Sequence, residues 1–263
     1  AQGISLHYYT IPGDTWEHKG SATEFDTKEY YKTLARAYRI EELINNHIAV
    51  MNSVNPQQWV NLVVDEWGTW YDVEPGTNPG FLYQQNTMRD AMVAALTLNI
   101  FNKHSDRIMM ANIAQTVNVL QSMILTDAQK MVLTPTYYVF KMFKEHQNNM
   151  LLGSFITTDK IDSKEAKRFC PQLIESASID ENDIIYSTVV NIADKKSAKI
   201  KCQIADRKVK NIKAYVLNGD IHDKNDFENT NAVEIKDFND FRQLKDGFTA
   251  TLPACSVVKF VIE

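Results

Sequence analysis

The sequence predicts an α/β unit followed by an all-β sandwich, with the division at residues 1–150 and 151–263. Strand-like and helix-like segments alternate through the first 115 residues, and from residue 151 onward short runs of alternating apolar and polar residues take over. Alternating strand and helix argues for a parallel sheet with right-handed crossovers, which leaves open a part of a (β/α)8 barrel or a small open α/β sheet. The 263 residues suffice for two ordinary domains, and 44% hydrophobic with 23% charged residues is a composition able to build their cores.

The first strand is expected at residues 4–9, Ile4-Ser-Leu-His-Tyr-Tyr9. No cap or hairpin partner precedes it, and a parallel strand without a preceding unit suggests that a segment upstream has been removed. After a polar loop over 10–25, Asp26 and Glu29 stand three apart as in a capping box. Leu34, Ala37, Tyr38, Ile44 and Ile48 fall on one helical face, predicting a single helix to about residue 51. Residues 59–66 read as a second strand, apolar at its centre (Leu62-Val-Val64) as in a strand buried on both faces. A Pro- and Gly-rich loop, Glu74-Pro-Gly-Thr-Asn-Pro-Gly80, leads to a helix marked by Met88, Ala91, Met92, Ala95 and Leu96 that ends near His104. A third strand over 108–115 and a helix over 137–147 complete this unit. Beyond it, Ala198, Ile200, Cys202 and Ile204 alternate with Lys199, Lys201 and Gln203, a half-buried antiparallel strand. Similar runs at 151–157, 184–192, 213–217, 248–252 and 256–262 are separated in part by the turn signals Asn218-Gly219-Asp220 and Asp246-Gly247.

Composition excludes several classes. A net charge of −5 leaves no basic footprint, so no nucleic-acid partner is expected. No apolar run approaches the roughly 18 residues of a membrane span, and no membrane partner is expected. Cys170, Cys202 and Cys255 are few, odd in number and widely spaced, and read as small core residues in a reducing compartment.

The strongest chemical signal is Val64-Asp65-Glu66-Trp67-Gly68-Thr-Trp70-Tyr71. It places a carboxylate where a parallel strand meets a loop, with aromatic residues following. In barrels the C-terminal strand ends build the active site, and aromatic rings beside a carboxylate suit a sugar. The plain structural alternative is a capped strand end whose acid bonds backbone amides. His7 and Tyr9, two apart, point to the same side of the first strand, and Gln115 closes the third. Alone, each is more simply a satisfied structural residue. Together, three consecutive strands ending in polar groups resemble a barrel mouth. His104-Ser105-Asp106 holds triad residue types side by side, which reads as a solvated helix end, since triads are spatial. Asp220, Asp223, Asn225, Asp226 and Glu228 form an acidic loop without EF-hand spacing. Lys195, Lys196, Lys199, Lys201, Lys208 and Lys210 read as a solvated face.

In order, Ile4-Ser-Leu-His-Tyr-Tyr9, Asp65-Glu66-Trp67 with Trp70-Tyr71, Ala111-Asn-Ile-Ala-Gln-Thr-Val-Asn118, and the ending Leu252-Pro253 … Ser256-Val-Val258 resemble the glycoside hydrolase family 51 α-L-arabinofuranosidases over essentially the whole chain. The resemblance implies the C-terminal part of a (β/α)8 TIM barrel, here its last three strands within residues 1–150, followed by a jelly-roll-type β-sandwich at 151–263. It implies that Glu66 is the nucleophile of a retaining hydrolase of terminal α-L-arabinofuranosyl residues in arabinose-containing poly- or oligosaccharides. Tyr9 would hydrogen-bond Glu66, Trp70 would line the sugar pocket, and His7 and Gln115 would hold sugar hydroxyls. The family's acid/base Glu follows an Asn on an earlier strand, and this chain has no Asn-Glu dipeptide. A missing N-terminal half is therefore expected to carry it, and the fragment alone to be inactive. No cofactor or metal is implied. A homo-oligomer, hexameric by family analogy, and a cytoplasmic rather than secreted location are implied in the same way. Two other readings stand beside it: a related glycosidase acting on glucan or xylan, and a non-catalytic carbohydrate-binding fragment.

Overall fold

Three parallel strands and the helices between them form the first layer of the computed structural model, which describes residues Ala1–Glu263. In chain order these are β1 (Gly3–Thr10), α1 (Thr27–Tyr38), α2 (Ile40–Val54), β2 (Asn61–Thr69), α3 (Met88–Lys103) and β3 (Ile108–Ile113), with sheet order β1-β2-β3. Both strand pairs are parallel. Leu62, Val64 and Trp67 of β2 are buried with Leu34 of α1 and Leu96 of α3 in one core. The opposite face is not covered: Val63 is half-buried, and Met109 and Met110 of β3 are exposed. The apolar centre of β2 is thus not buried on both faces, because this chain has helices on only one side of the sheet.

The single helix expected to residue 51 is two. Asp26 caps α1 by accepting the Glu29 N–H at 2.8 Å, but the reciprocal half of the box is absent because Glu29 turns to Arg89. At the break the Arg36 carbonyl accepts the Arg39 N–H at 3.1 Å in place of the Ile40 N–H. The Tyr8 hydroxyl donates to the Arg36 carbonyl at 2.6 Å, an acceptor that a continuous helix would give to the Ile40 N–H. The helix α3 starts on a reciprocal Thr87–Asp90 capping box and is buried nearly all round.

After β3 come a hairpin, β4 (Ile124–Asp127) and β5 (Lys130–Leu133), and α4 (Pro135–Phe143). Ten antiparallel strands, β6 (Met150–Leu152), β7 (Lys160–Ser163), β8 (Arg168–Pro171), β9 (Leu173–Ile179), β10 (Ile185–Asn191), β11 (Ala198–Gln203), β12 (Ile212–Asn218), β13 (Lys236–Asp237), β14 (Phe241–Leu244) and β15 (Gly247–Leu252), with β16 (Ser256–Ile262) as an eleventh, complete the chain. A six-stranded sheet of order β13-β12-β16-β10-β9-β6 packs on a three-stranded sheet β11-β15-β14, while β7 and β8 form a separate hairpin. Alternation sorts the larger sheet's residues into two cores. Val189, Val216, Val258 and Phe260 meet Phe248 and Leu252 of the smaller sheet. Their chain neighbours Val190, Leu217 and Val257 face the core shared with the helices.

Several strands depart from expectation. The run at 151–157 is a strand only at Met150–Leu152, and β9 has no counterpart in the sequence reading. In β9, Leu173-Ile-Glu-Ser-Ala-Ser-Ile179 shows no alternation because both its faces are buried, one of them by polar contacts. Ser176 and Thr188 hydroxyls both donate to Asn99 Oδ1 at 2.7 Å, and Asn99 Nδ2 donates to the Ile174 carbonyl at 3.1 Å. Cys170 and Cys255 are buried free thiols and Cys202 is partly exposed; burial pushes the Cys255 thiol up to about 12.

His146 belongs to the same polar seam. Its Nδ1 pairs with Ser178 Oγ at 2.8 Å and its Nε2 with Thr188 Oγ1 at 3.1 Å. Burial, followed by the nearby Lys259 charge, pushes its pKa from 6.5 down to about 4. A histidine depressed in the folded state contributes stability above its unfolded pKa and loses it as pH falls, because the unfolded chain takes the proton first. Stability should therefore drop by up to about 3 kcal/mol between pH 6.5 and 4 from this group. Thermal unfolding across that range should show a shallower acid slope in His146→Gln than in wild type.

Candidate active site

Glu66 reaches the open face of the sheet because β2 carries one residue too many. Leu6 is opposite Val64, but the next residue, His7, is opposite Glu66, so Asp65 is an unpaired bulge residue. The same surplus shows against β3, where Val64 faces Ala111 and Trp67 faces Ile113. In an unbroken strand Leu62, Val64 and Glu66 would share a face. With the bulge, Trp67 takes the core place, 1% exposed, against Phe101 and Phe140. Glu66 turns to the face of His7 and Tyr9. The expected strand end at residue 66 is corrected with it: pairing continues to Thr69.

On that face the Tyr9 hydroxyl donates to Glu66 Oε2, and His7 Nδ1 lies 3.7 Å from the same oxygen. Burial, the hydrogen bond and the Glu66 charge together raise the Tyr9 pKa well above its ordinary value, so the phenol keeps its proton and remains a donor. Trp70 meets the Tyr9 ring edge-on at 4.9 Å, and Trp16 meets Trp70 edge-on at 5.5 Å. The result is a half-exposed carboxylate beside three aromatic rings. Four of the five expected residues, His7, Tyr9, Glu66 and Trp70, are brought together. Gln115 follows Ala114, whose N–H donates to the Trp67 carbonyl at 3.0 Å, so it stands next to the end of β2. Its exposed side chain hydrogen-bonds to no other residue of the chain. A surface cleft lined by Tyr38, Glu41, Lys103 and Glu175 lies elsewhere.

A buried polar frame that the sequence reading missed holds the end of β2. Gly68 has φ +133°, and a Cβ there would meet Gln121 Oε1 at 3.1 Å. Gln121 Oε1 in turn accepts the Thr69 N–H at 2.8 Å, and Gln84 Oε1 accepts the Tyr71 N–H at 2.8 Å. Asp90 accepts from the Thr69 and Tyr71 hydroxyls. Arg89, its side chain fully buried, stacks between Phe25 and Tyr71 at 3.8 and 4.1 Å and pairs with Glu29 at 3.2 Å. The loop carrying Trp16 is clamped from two sides. Arg36 donates to the Ile11, Pro12 and Gly13 carbonyls, and Asp72 accepts the Lys19 and Gly20 N–H groups at 3.1 Å each. The Thr87-x-x-Asp90 spacing was the one sequence signal that could have drawn attention to Asp90, as a helix start.

The weaker motifs have structural partners. His104 Nε2 lies 2.8 Å from Glu41 Oε1, and that bond raises the imidazole pKa. In the acidic loop Asp220 pairs with Lys195 at 2.8 Å, and Asn225 is buried, bonding the Leu133 and Val233 backbone. Lys196 pairs with Asp159 at 2.8 Å, while Lys199 and Lys201 remain exposed.

The parallel β/α layer, the two packed antiparallel sheets and the carboxylate among aromatic rings define a class by comparison with known proteins. Residues 65–256 match the model of the alpha-L-arabinofuranosidase C-terminal domain. An intracellular exo-alpha-L-arabinofuranosidase of Bacteroides ovatus is 41% identical over 263 residues, which are 99% of this chain and 51% of that protein. The crystal structure of the GH51 arabinofuranosidase from Xanthomonas axonopodis pv. citri superimposes with a TM-score of 0.95 at 40% identity, covering 100% of this chain and 53% of that one. An arabinose complex of the Thermotoga maritima α-L-arabinofuranosidase shares the fold, with a TM-score of 0.81 at 23% identity over 100% of this chain and 52% of that one. The chain belongs to the glycoside hydrolase family 51 α-L-arabinofuranosidases and corresponds to their C-terminal part. It spans about half the length of these relatives.

The Arg89 arrangement yields a stability prediction. Arg89→Ala would leave Glu29 without its cation and the Ser21 and Ala22 carbonyls without their donor. The expected loss is about 2 kcal/mol, read from denaturant unfolding, since two backbone carbonyls lose their charged donor while Glu29, 30% exposed, can be rehydrated. A loss under about 1 kcal/mol would show that water replaces the guanidinium at no cost.

Proposed function

We propose that this chain is part of a retaining α-L-arabinofuranosidase in which Glu66 is the nucleophile. The observation that carries the reading is the aim of Glu66: the Tyr9 hydroxyl donates to Oε2 and His7 Nδ1 lies 3.7 Å from the same oxygen, leaving Oε1 without a hydrogen-bond partner in the chain on a face lined by aromatic rings. Oε1 would attack the anomeric carbon of a terminal arabinofuranosyl unit and form a covalent glycosyl-enzyme. A second carboxyl must protonate the departing oxygen and later activate water, about 5–5.5 Å from the first. We place that acid/base Glu on the part of the relatives' length that this chain does not span, and expect residues 1–263 alone to be inactive. Trp70 would line the sugar pocket, and His7 and Gln115 would hold its hydroxyls. In this reading residues 1–150 supply the last three strands of a (β/α)8 barrel and residues 151–263 a jelly-roll-type sandwich. The name of the Bacteroides ovatus relative supports an intracellular location, and family analogy supports a homo-oligomer. No cofactor enters the chemistry.

Two experiments on the complete protein test these roles. A 2-fluoro-arabinofuranosyl inactivator should label the peptide containing Glu66, and peptide mapping that finds the label elsewhere would refute the nucleophile. Gln115→Ala should lower kcat/KM about tenfold or more, near 1.4 kcal/mol, with little change in thermal midpoint. Unchanged kinetics would leave Gln115 as a loop residue just past β3, which ends at Ile113 rather than at the expected residue 115.

A further inference from the structure

The carboxylate of Asp90 takes no part in the chemistry above, yet it lies directly behind the end of β2. Its Oδ1 accepts from the Thr69 hydroxyl at 2.6 Å and from the Tyr71 hydroxyl at 3.0 Å. These two residues flank Trp70, so one oxygen atom grips the chain on both sides of the indole. Its Oδ2 accepts the Thr87 N–H at 2.8 Å, tying the same group to the start of α3. Capping alone does not require this burial. A helix start can be capped by a solvated side chain, whereas Asp90 is 0% exposed and a buried charge is costly. What the burial provides is a set of short, charge-assisted bonds of fixed direction. Beyond them, Trp70 meets Tyr9 edge-on at 4.9 Å, and Tyr9 donates to Glu66.

We propose that Asp90 is a positioning residue for the active site: by holding Thr69 and Tyr71 it sets the Trp70 indole against Tyr9, and thereby the Tyr9 hydroxyl on Glu66. The catalytic consequence rests on Glu66 being the nucleophile, while the placement of Trp70 does not. Burial raises the Asp90 pKa, and the three donors with the neighbouring Arg89 charge oppose that rise.

The test uses the complete enzyme. Asp90→Ala risks unfolding, so the informative variant is Thr69→Val with Tyr71→Phe, which removes both hydroxyls and leaves Asp90 capping α3. The Trp70 contribution to near-ultraviolet circular dichroism is isolated as the difference made by Trp70→Phe in each background. Turnover of a nitrophenyl α-L-arabinofuranoside is measured per active site titrated with the fluoro-sugar inactivator. The expected result is a Trp70 signal reduced to roughly half or less and a kcat lowered about tenfold per titrated site. A purely structural role would lower the thermal midpoint and the number of titrated sites, leaving both readouts where they were. An unchanged Trp70 signal overturns the proposal, and so does a changed signal with unchanged kcat. Glu66→Gln, measured in parallel, separates the two ideas. If that variant keeps full turnover the nucleophile reading fails, and the Trp70 signal then decides the role of Asp90 by itself.

Discussion

One surplus residue in β2 governs the face on which Glu66 appears. A strand repeats every two residues, so an unbroken β2 would bury Glu66 beside Leu62 and Val64 and expose Trp67. Either outcome would be costly: an unpaired carboxylate in an apolar core, or a large indole in water. The bulge at Asp65 avoids both by resetting the alternation between Val64 and Trp67. Because Trp67 is held in the core by Phe101 and Phe140, the reset is anchored by packing. The orientation of Glu66 is thus coupled to the stability of the molecule.

The end of β2 is fixed from behind in a different way. There the contacts are buried hydrogen bonds, from Gln84, Asp90 and Gln121, with Arg89 stacked between aromatic rings. Such a frame is directional where apolar packing is not, and every member needs its partner to offset desolvation. The six-stranded sheet plays a related part farther out. It presents one face to the smaller sheet and the other to the helices, and seats α3 through Asn99, Ser176 and Thr188. The helix that carries Asp90 is therefore set by the β layer as well as by the parallel sheet.

Much of this was legible in residue patterns and some was not. Runs of apolar residues of strand or helix length located β1, β2, β3, α3 and β16. The pattern missed the short strands β4, β5, β7, β8, β13 and β14, too brief to show a period, and β9, where Ser and Glu occupy buried positions and alternation vanishes. It also ran α1 into α2, where a tyrosine from another element bonds a helical carbonyl. His7, Tyr9, Glu66 and Trp70 were legible because polar and aromatic residues at strand ends stand out locally. Asp90, Gln84 and Gln121 were not, since a polar residue on an apolar helix or in a loop looks solvated until its distant partners are in place.

By itself the sequence determined the β-α-β-α-β alternation of the first 115 residues, the change from an α/β to an all-β pattern, and the residue types gathered near Glu66, because these depend on periodicity and local chemistry. Only the tertiary structure decided which face Glu66 takes, where the long helix breaks, and which buried polar groups hold the end of β2. Those outcomes depend on register between strands and on hydrogen bonds between residues far apart in the chain, and a bulge of one residue is invisible until the neighbouring strands are there to count against it.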